Sequence, residues 1–291
     1  MSVLWLAPRL FLNEDTVPEL LARRTRLPLQ HTQVEDMALV AGIKPLVLRE
    51  LPWEGAEAQA EFFRQRGLCA LLRASEKTKA TSTVWLMAGR SEAQVGEVAE
   101  LMMGGLPTTQ DHRRLGSLLG YPPCCVNTFC EHPSEEYTRM EQAAARTRPP
   151  GNPWLNVLDP WVFRLISWEP CSFQCALSAT YADRLEALLR PHFRSFLQRT
   201  REVLSGARLY LHPNVQLTLE GDVWDDGFLP RLVAPTARDR EGVLPLTPED
   251  EADVARALRE VRAAQKVTCS EGQIFLDGRP WARGFLVRFR G

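Results

Sequence analysis

Lysine is almost missing from this 291-residue chain: it occurs only at Lys44, Lys77, Lys79 and Lys266, so nearly all of the 35 basic residues are arginine. Arginine suits bidentate recognition of phosphate or carboxylate, but these arginines are scattered, the pattern of a codon bias rather than of a binding patch. Net charge is missing too. Thirty-five basic against 36 acidic residues leave -1, which excludes the global attraction of a strongly basic chain to nucleic acid or anionic membrane. No apolar run approaches the roughly 18 residues of a membrane span. Met1-Ser2-Val3-Leu4-Trp5-Leu6-Ala7-Pro8 carries no basic region before its apolar stretch, and Arg9, Glu14 and Asp15 end that stretch early, so it does not read as a secretory signal. Walker loop, Rossmann fingerprint, nucleophile elbow and zincin helix are all lacking, as are internal repeats and low-complexity tracts. With 45% hydrophobic and 24% charged residues the composition is that of a folded globular protein. A soluble cytoplasmic protein is expected, with no nucleic-acid or membrane partner.

What the chain does have is grouped cysteine. Five of its seven cysteines fall between Cys124 and Cys175. In a reducing compartment, grouped thiols more often hold a metal or do chemistry than form structural disulfides.

Three regions are expected, in a mixed α/β or α+β fold. The first, 1–107, reads as small α/β structure. Residues 45–48 form a strand, 56–74 have helical spacing, 83–87 form a β-rich run ending at Gly89, and Ser91 caps a helix to about Met103, stopped by Gly104-Gly105. The segment Ala88-Gly89-Arg90-Ser91 has too few glycines to cradle a phosphate. The second region, 108–203, reads as helical and carries the cysteines. Asp111 caps one helix, Pro122-Pro123 starts another, and a long one carries Leu177, Tyr181, Leu185, Leu188 and Leu189. Between them 143–153 reads as a surface loop. The third region, 204–291, switches to a two-residue period. Strands are expected at 209–211, 215–219, 273–276 and 285–289, with turns at Glu220-Gly221-Asp222 and Asp277-Gly278. A helix opened by Thr247-Pro248 runs to about Ala264.

The cysteines form two proline-led clusters. Leu119-Gly120-Tyr121-Pro122-Pro123-Cys124-Cys125 is the first, with Cys130 beyond it, and Pro170-Cys171-Ser172-Phe173-Gln174-Cys175 is the second. Proline favours the first helical position, so thiols just after it meet free N–H groups and the positive end of the helix dipole, which stabilise a thiolate. Spacing of four puts Cys171 and Cys175 on one face of a helix. Adjacent Cys124 and Cys125 share a site only if one lies on the turn before the helix. Cys130 points elsewhere, and Cys69, in a helix, and Cys269, near a strand, read as core.

Cys124, Cys125, Cys171 and Cys175 would satisfy a [4Fe–4S] cluster or a tetrahedral zinc site. Their spacing matches neither the zinc-ribbon nor the ferredoxin pattern. Because the chain has enough apolar sequence to fold without a metal, an iron–sulfur centre is the leading expectation, in an enzyme doing redox or Lewis-acid chemistry on a small molecule or with a redox partner. A non-enzymatic binding protein with a structural zinc held by the four cysteines, a metal-free redox thiol protein, and plain packing of buried thiols are the alternatives.

The two motifs, with Phe129, resemble the signature of a little-characterised family of bacterial and archaeal proteins of unknown function. The resemblance covers the middle third of the chain, implies that the same four cysteines form the site and leaves Cys130 outside it. It implies no particular reaction.

Other candidates have plainer readings. His112 and His132 flank the first cluster as replacement ligands or bases, though His132 reads as an exposed loop residue. Asp111-His112-Arg113-Arg114 suits an anionic substrate or simply a capped helix start. Tyr121 hydrogen-bonds a ligand or packs. The acidic run Glu220, Asp222, Asp225 and Asp226 lacks calcium-loop spacing and reads as turns. Arg279, Arg283, Arg288 and Arg290 decorate an edge strand.

Overall fold

A computed structural model describes residues 31–74, 83–103, 107–133, 135–148, 150–158, 163–212, 215–224, 227–237, 248–270 and 273–290. The expected N-terminal apolar stretch, the Gly104-Gly105 stop, the Thr247 cap and residues Asp225 and Asp226 lie outside these. The fold is α+β, with eight helices and ten strands among the described residues. None of those helices is long and apolar enough to cross a membrane. The chain divides into two compact units, Met1–Cys130 with Asp183–Arg194, and Glu131–Ala182 with Ser195–Gly291.

In the first unit, α1 (His31–Val40) precedes β1 (Leu46–Pro52), α2 (Trp53–Arg64), β2 (Cys69–Ala74), β3 (Thr83–Gly89) and α3 (Glu92–Met103). The sheet has the order β1-β3-β2, with both outer strands antiparallel to β3. Two-residue alternation sorts its side chains. Val84, Leu86 and Ala88 pack with Val47 and Leu51 against Ala56, Ala60 and Phe63 of α2. Met87, with Leu46, faces Val95, Val98 and Ala99 of α3 and the pair Leu118 and Leu119. Helices therefore cover both faces, which is why the central strand β3 reads as the unbroken apolar run Val84-Trp85-Leu86-Met87-Ala88. Buried ion pairs Lys44–Glu35 and Arg49–Asp36 tie α1 to the start of the sheet. Burial pushes the Asp36 carboxyl up to about 6, with Arg49 opposing the shift.

The helical spacing read across 56–74 breaks in the middle. Gly67 adopts φ 71°, and the Leu68 amide bonds back to the Phe63 carbonyl. A left-handed residue ends a helix, so Leu71 and Cys69 lie on β2. Cys69 is thus a strand residue packed beside the α3 core, not a helical one.

Two short helices follow, α4 (Thr109–Leu118) and α5 (Pro123–Glu131). Thr108, rather than Asp111, caps α4. The Thr108 hydroxyl accepts from the Asp111 amide at 3.2 Å while the Asp111 carboxylate accepts from the Thr108 amide at 2.8 Å, a reciprocal capping box. At the other end Gly120, at φ 75°, reverses the chain, and the Tyr121 amide reaches the Gly116 carbonyl at 2.9 Å. A Cβ on Gly120 would lie 2.5 Å from Pro45 Cδ. Glycine is needed there twice over, for its φ and for its missing side chain.

The second unit contains α6 (Glu136–Ala145), a single 3₁₀ turn (Pro153–Leu155), most of α7 (Ala176–Leu204), β4 (Gly206–His212), β5 (Val215–Trp224), β6 (Gly227–Ala237), α8 (Pro248–Ala263), β7 (Val267–Ser270), β8 (Gln273–Leu276), β9 (Arg279–Trp281) and β10 (Phe285–Phe289). Its antiparallel sheet has the order β10-β4-β5-β6-β7-β8-β9. Val261 and Ala264, at the end of α8, pack on Ala207, Leu209, Val267 and Ile274.

Several turns differ from expectation. Glu220-Gly221-Asp222 lies inside β5, where a register shift absorbs an extra residue instead of reversing the chain. Asp277-Gly278 joins β8 to β9, a strand the sequence reading missed because Pro280 disguised it. The long helix forms from Ala176, kinked at Phe193, two residues after Pro191. Leu177 is exposed, off the buried stripe of Tyr181, Leu185 and Leu189.

The close approach of α4 and α5 can be tested directly. A Cβ on Gly116 would meet Val126 Cγ2 at 2.6 Å. Gly116→Ala is expected to cost about 1–3 kcal/mol by overpacking, read as a lower urea midpoint at unchanged slope. An unchanged midpoint would show that the helices are not packed this tightly.

Candidate metal centre

The first cysteine motif is positioned by the turn that ends α4. Tyr121-Pro122 leads into Pro123, the first residue of α5, and the amides of Cys125 and Val126 bond to the Pro122 carbonyl at 2.9 and 3.0 Å. Cys124 and Cys125 therefore both lie in the first helical turn. Neither sits on the preceding turn, which the sequence reading required for them to share a site. They meet all the same, Sγ to Sγ at 4.0 Å. Both Cα–Cβ bonds tilt toward the start of the helix, so the two sulfurs can meet beyond its first turn. Cys125 is buried and Cys124 half-buried.

The second motif is not the helical pair that its spacing suggested. Residues 171–174 form a turn and Cys175 is the N-cap of α7. The reason lies in the Phe173 peptide. Its N–H donates to Thr147 Oγ1 at 2.8 Å and its carbonyl accepts from the Asn152 amide at 2.7 Å. Both groups that a helix would use are committed elsewhere. Gln174 adds two bonds to the same neighbouring loop, accepting from the Arg148 amide at 3.1 Å and donating to the Pro150 carbonyl at 3.0 Å. The Phe173 ring is fully buried against Phe289 of β10, 5.2 Å between centroids. Gly151 lets this happen, since a Cβ there would touch Phe173 Cβ at 3.0 Å. The turn closes with the Cys175 amide on the Ser172 carbonyl at 3.0 Å.

The outcome is a group of four thiols. The Sγ atoms of Cys124, Cys125, Cys171 and Cys175 all lie within 4.8 Å of one another, with Cys125 and Cys175 buried and Cys124 and Cys171 half-buried. Four thiols at this spacing can hold a metal ion.

The remaining candidates stand apart from this group. Cys130 is buried, its Sγ 3.7 Å from the Thr109 carbonyl. Burial pushes its thiol up from the ordinary range, with Arg113 opposing. The His112 ring packs edge-on to Phe129, 5.3 Å between centroids. His132 contacts Gln142 through its Nε2 at 2.8 Å and lies 3.8 Å from Glu135. Tyr121 packs into the α3 core with Lys44 Nζ 5.2 Å above its ring. The side chain of Cys269, on β7, lies outside the described residues. Sequence reasoning missed the supports Thr147 and Gly151, because it read 143–153 as a surface loop, whereas both residues are buried against the second motif.

No protein-family model, no characterised protein and no solved structure matches this chain.

The elevated Cys130 thiol has a chemical consequence. With iodoacetamide added at about pH 8 in the presence of a chelator, where the thiolate fraction controls the rate, Cys130 is expected to label more slowly than Cys124. Peptide mass mapping over time reads this, and equal rates would place Cys130 in a different environment.

Proposed function

We propose that this protein is built around one metal ion held by four thiolates, Cys124, Cys125, Cys171 and Cys175, and that the ion is zinc. The sulfur spacing carries the reading. Four thiolates at about 2.3 Å from a tetrahedral zinc stand about 3.8 Å apart, and the observed group has one pair at 4.0 Å and none beyond 4.8 Å. Small adjustments of the side chains would close a single shell. Such a shell leaves no open position for substrate, so it is a structural centre rather than a Lewis acid. It fastens the two motifs and so presents a binding surface, in a cytoplasmic compartment that keeps the thiols reduced. On this reading the motif resembling the little-characterised family's signature is the ligand set of that ion.

The iron–sulfur cluster is the second reading, favoured by the half-exposure of Cys124 and Cys171, which leaves one side of the group open to a larger inorganic core. Each thiolate would then bind its own iron, so the four sulfurs would have to spread. An iron–sulfur enzyme acting on a small molecule, or exchanging electrons with a redox partner, belongs to this second reading.

Elemental analysis after anaerobic purification separates them. One zinc per chain and a colourless solution are expected, whereas a brown protein with several irons would replace zinc by the cluster. Cys124→Ser and Cys175→Ser should each abolish stoichiometric metal. Adding zinc at about a thousand times its Kd should stabilise the apo-protein by about 4 kcal/mol, read as a higher urea midpoint.

A further inference from the structure

Outside the thiol group, α6 carries a buried cation with three fixed bonds. Arg139, on α6, is 6% exposed. Its Nε and Nη2 both meet the Glu169 carboxylate, the latter at 3.0 Å, and its Nη1 donates to the backbone carbonyl of His132. These two partners have telling positions in the chain. His132 is the residue immediately after α5, the helix that starts with Cys124 and Cys125, and Glu169 is two residues before Cys171. One guanidinium thus spans the exit of the first thiol-bearing segment and the entry to the second. Its planar fork can hold a carboxylate at two points and a carbonyl at a third, which a lysine cannot do.

We propose that Arg139 is a positioning residue for the metal centre: it holds the two thiol-bearing segments in register before any ion binds. The inference rests on the single-ion reading above but concerns a residue that touches no metal. The pairing is also what makes the buried guanidinium tolerable, since without Glu169 its charge would be left buried and alone. The work of drawing four thiolates together is then done largely during folding. Metal affinity gains because less ordering remains to be done at the moment of binding.

The test uses the full chain, stripped of metal under reducing conditions, titrated with zinc against a chromogenic chelator and, separately, with cobalt(II). Removing an outer support of this kind typically lowers metal affinity by about 10–100-fold, and that loss is expected for Arg139→Gln. Arg139→Lys should recover part of it, since an ammonium can meet Glu169 or the His132 carbonyl but not hold both. At saturation the cobalt spectrum of each variant should match the wild type, because the four ligands are unchanged. Glu169→Gln keeps the shape of the partner and weakens the clamp more gently; it carries the comparison if Arg139→Gln does not fold. Wild-type zinc affinity in a folded Arg139→Gln or Glu169→Gln chain would overturn the proposal. Failure of the wild type itself to bind zinc or cobalt would overturn the single-ion reading, and this inference with it.

Discussion

Everything about the second cysteine motif depends on one peptide unit, that of Phe173. Its N–H and C=O are both taken by the neighbouring loop, through Thr147 and Asn152, and its ring is sealed against β10. A chain so held cannot begin a helix at Pro170. It must turn first, and α7 is delayed until Ala176. Cys171 and Cys175 are therefore displayed on a tight turn, with the shape of that turn set by main-chain bonds rather than by any ion.

The first motif reaches a similar result by another route. There the prolines do the shaping: Pro123 pre-sets the backbone for the first helical position and lacks only an N–H that would have had no partner anyway. Three of the four sulfurs consequently lie at the N-terminal end of a helix, α5 for one pair and α7 for Cys175, while Cys171 sits on the turn that leads into α7. Helix starts carry unsatisfied N–H groups and partial positive charge. A tetrathiolate around a divalent cation bears two net negative charges, so this is the electrostatic setting it needs.

Much of this is legible in the residues alone. Short apolar and β-rich runs mark β1 and β3, two-residue alternation marks β8 and β10, prolines mark the starts of α5 and α8, and clustering by itself singles out the four thiols. Spacing arithmetic fails wherever a non-local bond intervenes. Cys171 and Cys175 are four apart, but the Thr147 and Asn152 contacts, more than twenty residues away, decide their conformation. Likewise Gly67 cuts a regular apolar pattern that continues on both sides of it, so Cys69 and Leu71 pass for helical. Arg139 gives no hint in the sequence, because an isolated arginine in an arginine-rich chain looks like any other.

The seven-stranded sheet holds a last consequence. Among the described residues, its β6 and β7 share a single paired position, Phe228 with Val267, whereas β5 and β6 are paired along ten. Hydrogen bonds thus make two stiff ribbons, β10-β4-β5-β6 and β7-β8-β9, with a seam between them. Across the seam, Val261 of α8 and Ala264 just after it share one apolar cluster with Leu209 on one side and Val267 and Ile274 on the other. Cohesion there is apolar contact without direction, which tolerates sliding and weakens on cooling as the hydrophobic effect does. The sheet should behave as two plates glued along one oily edge, rigid within each plate and compliant between them.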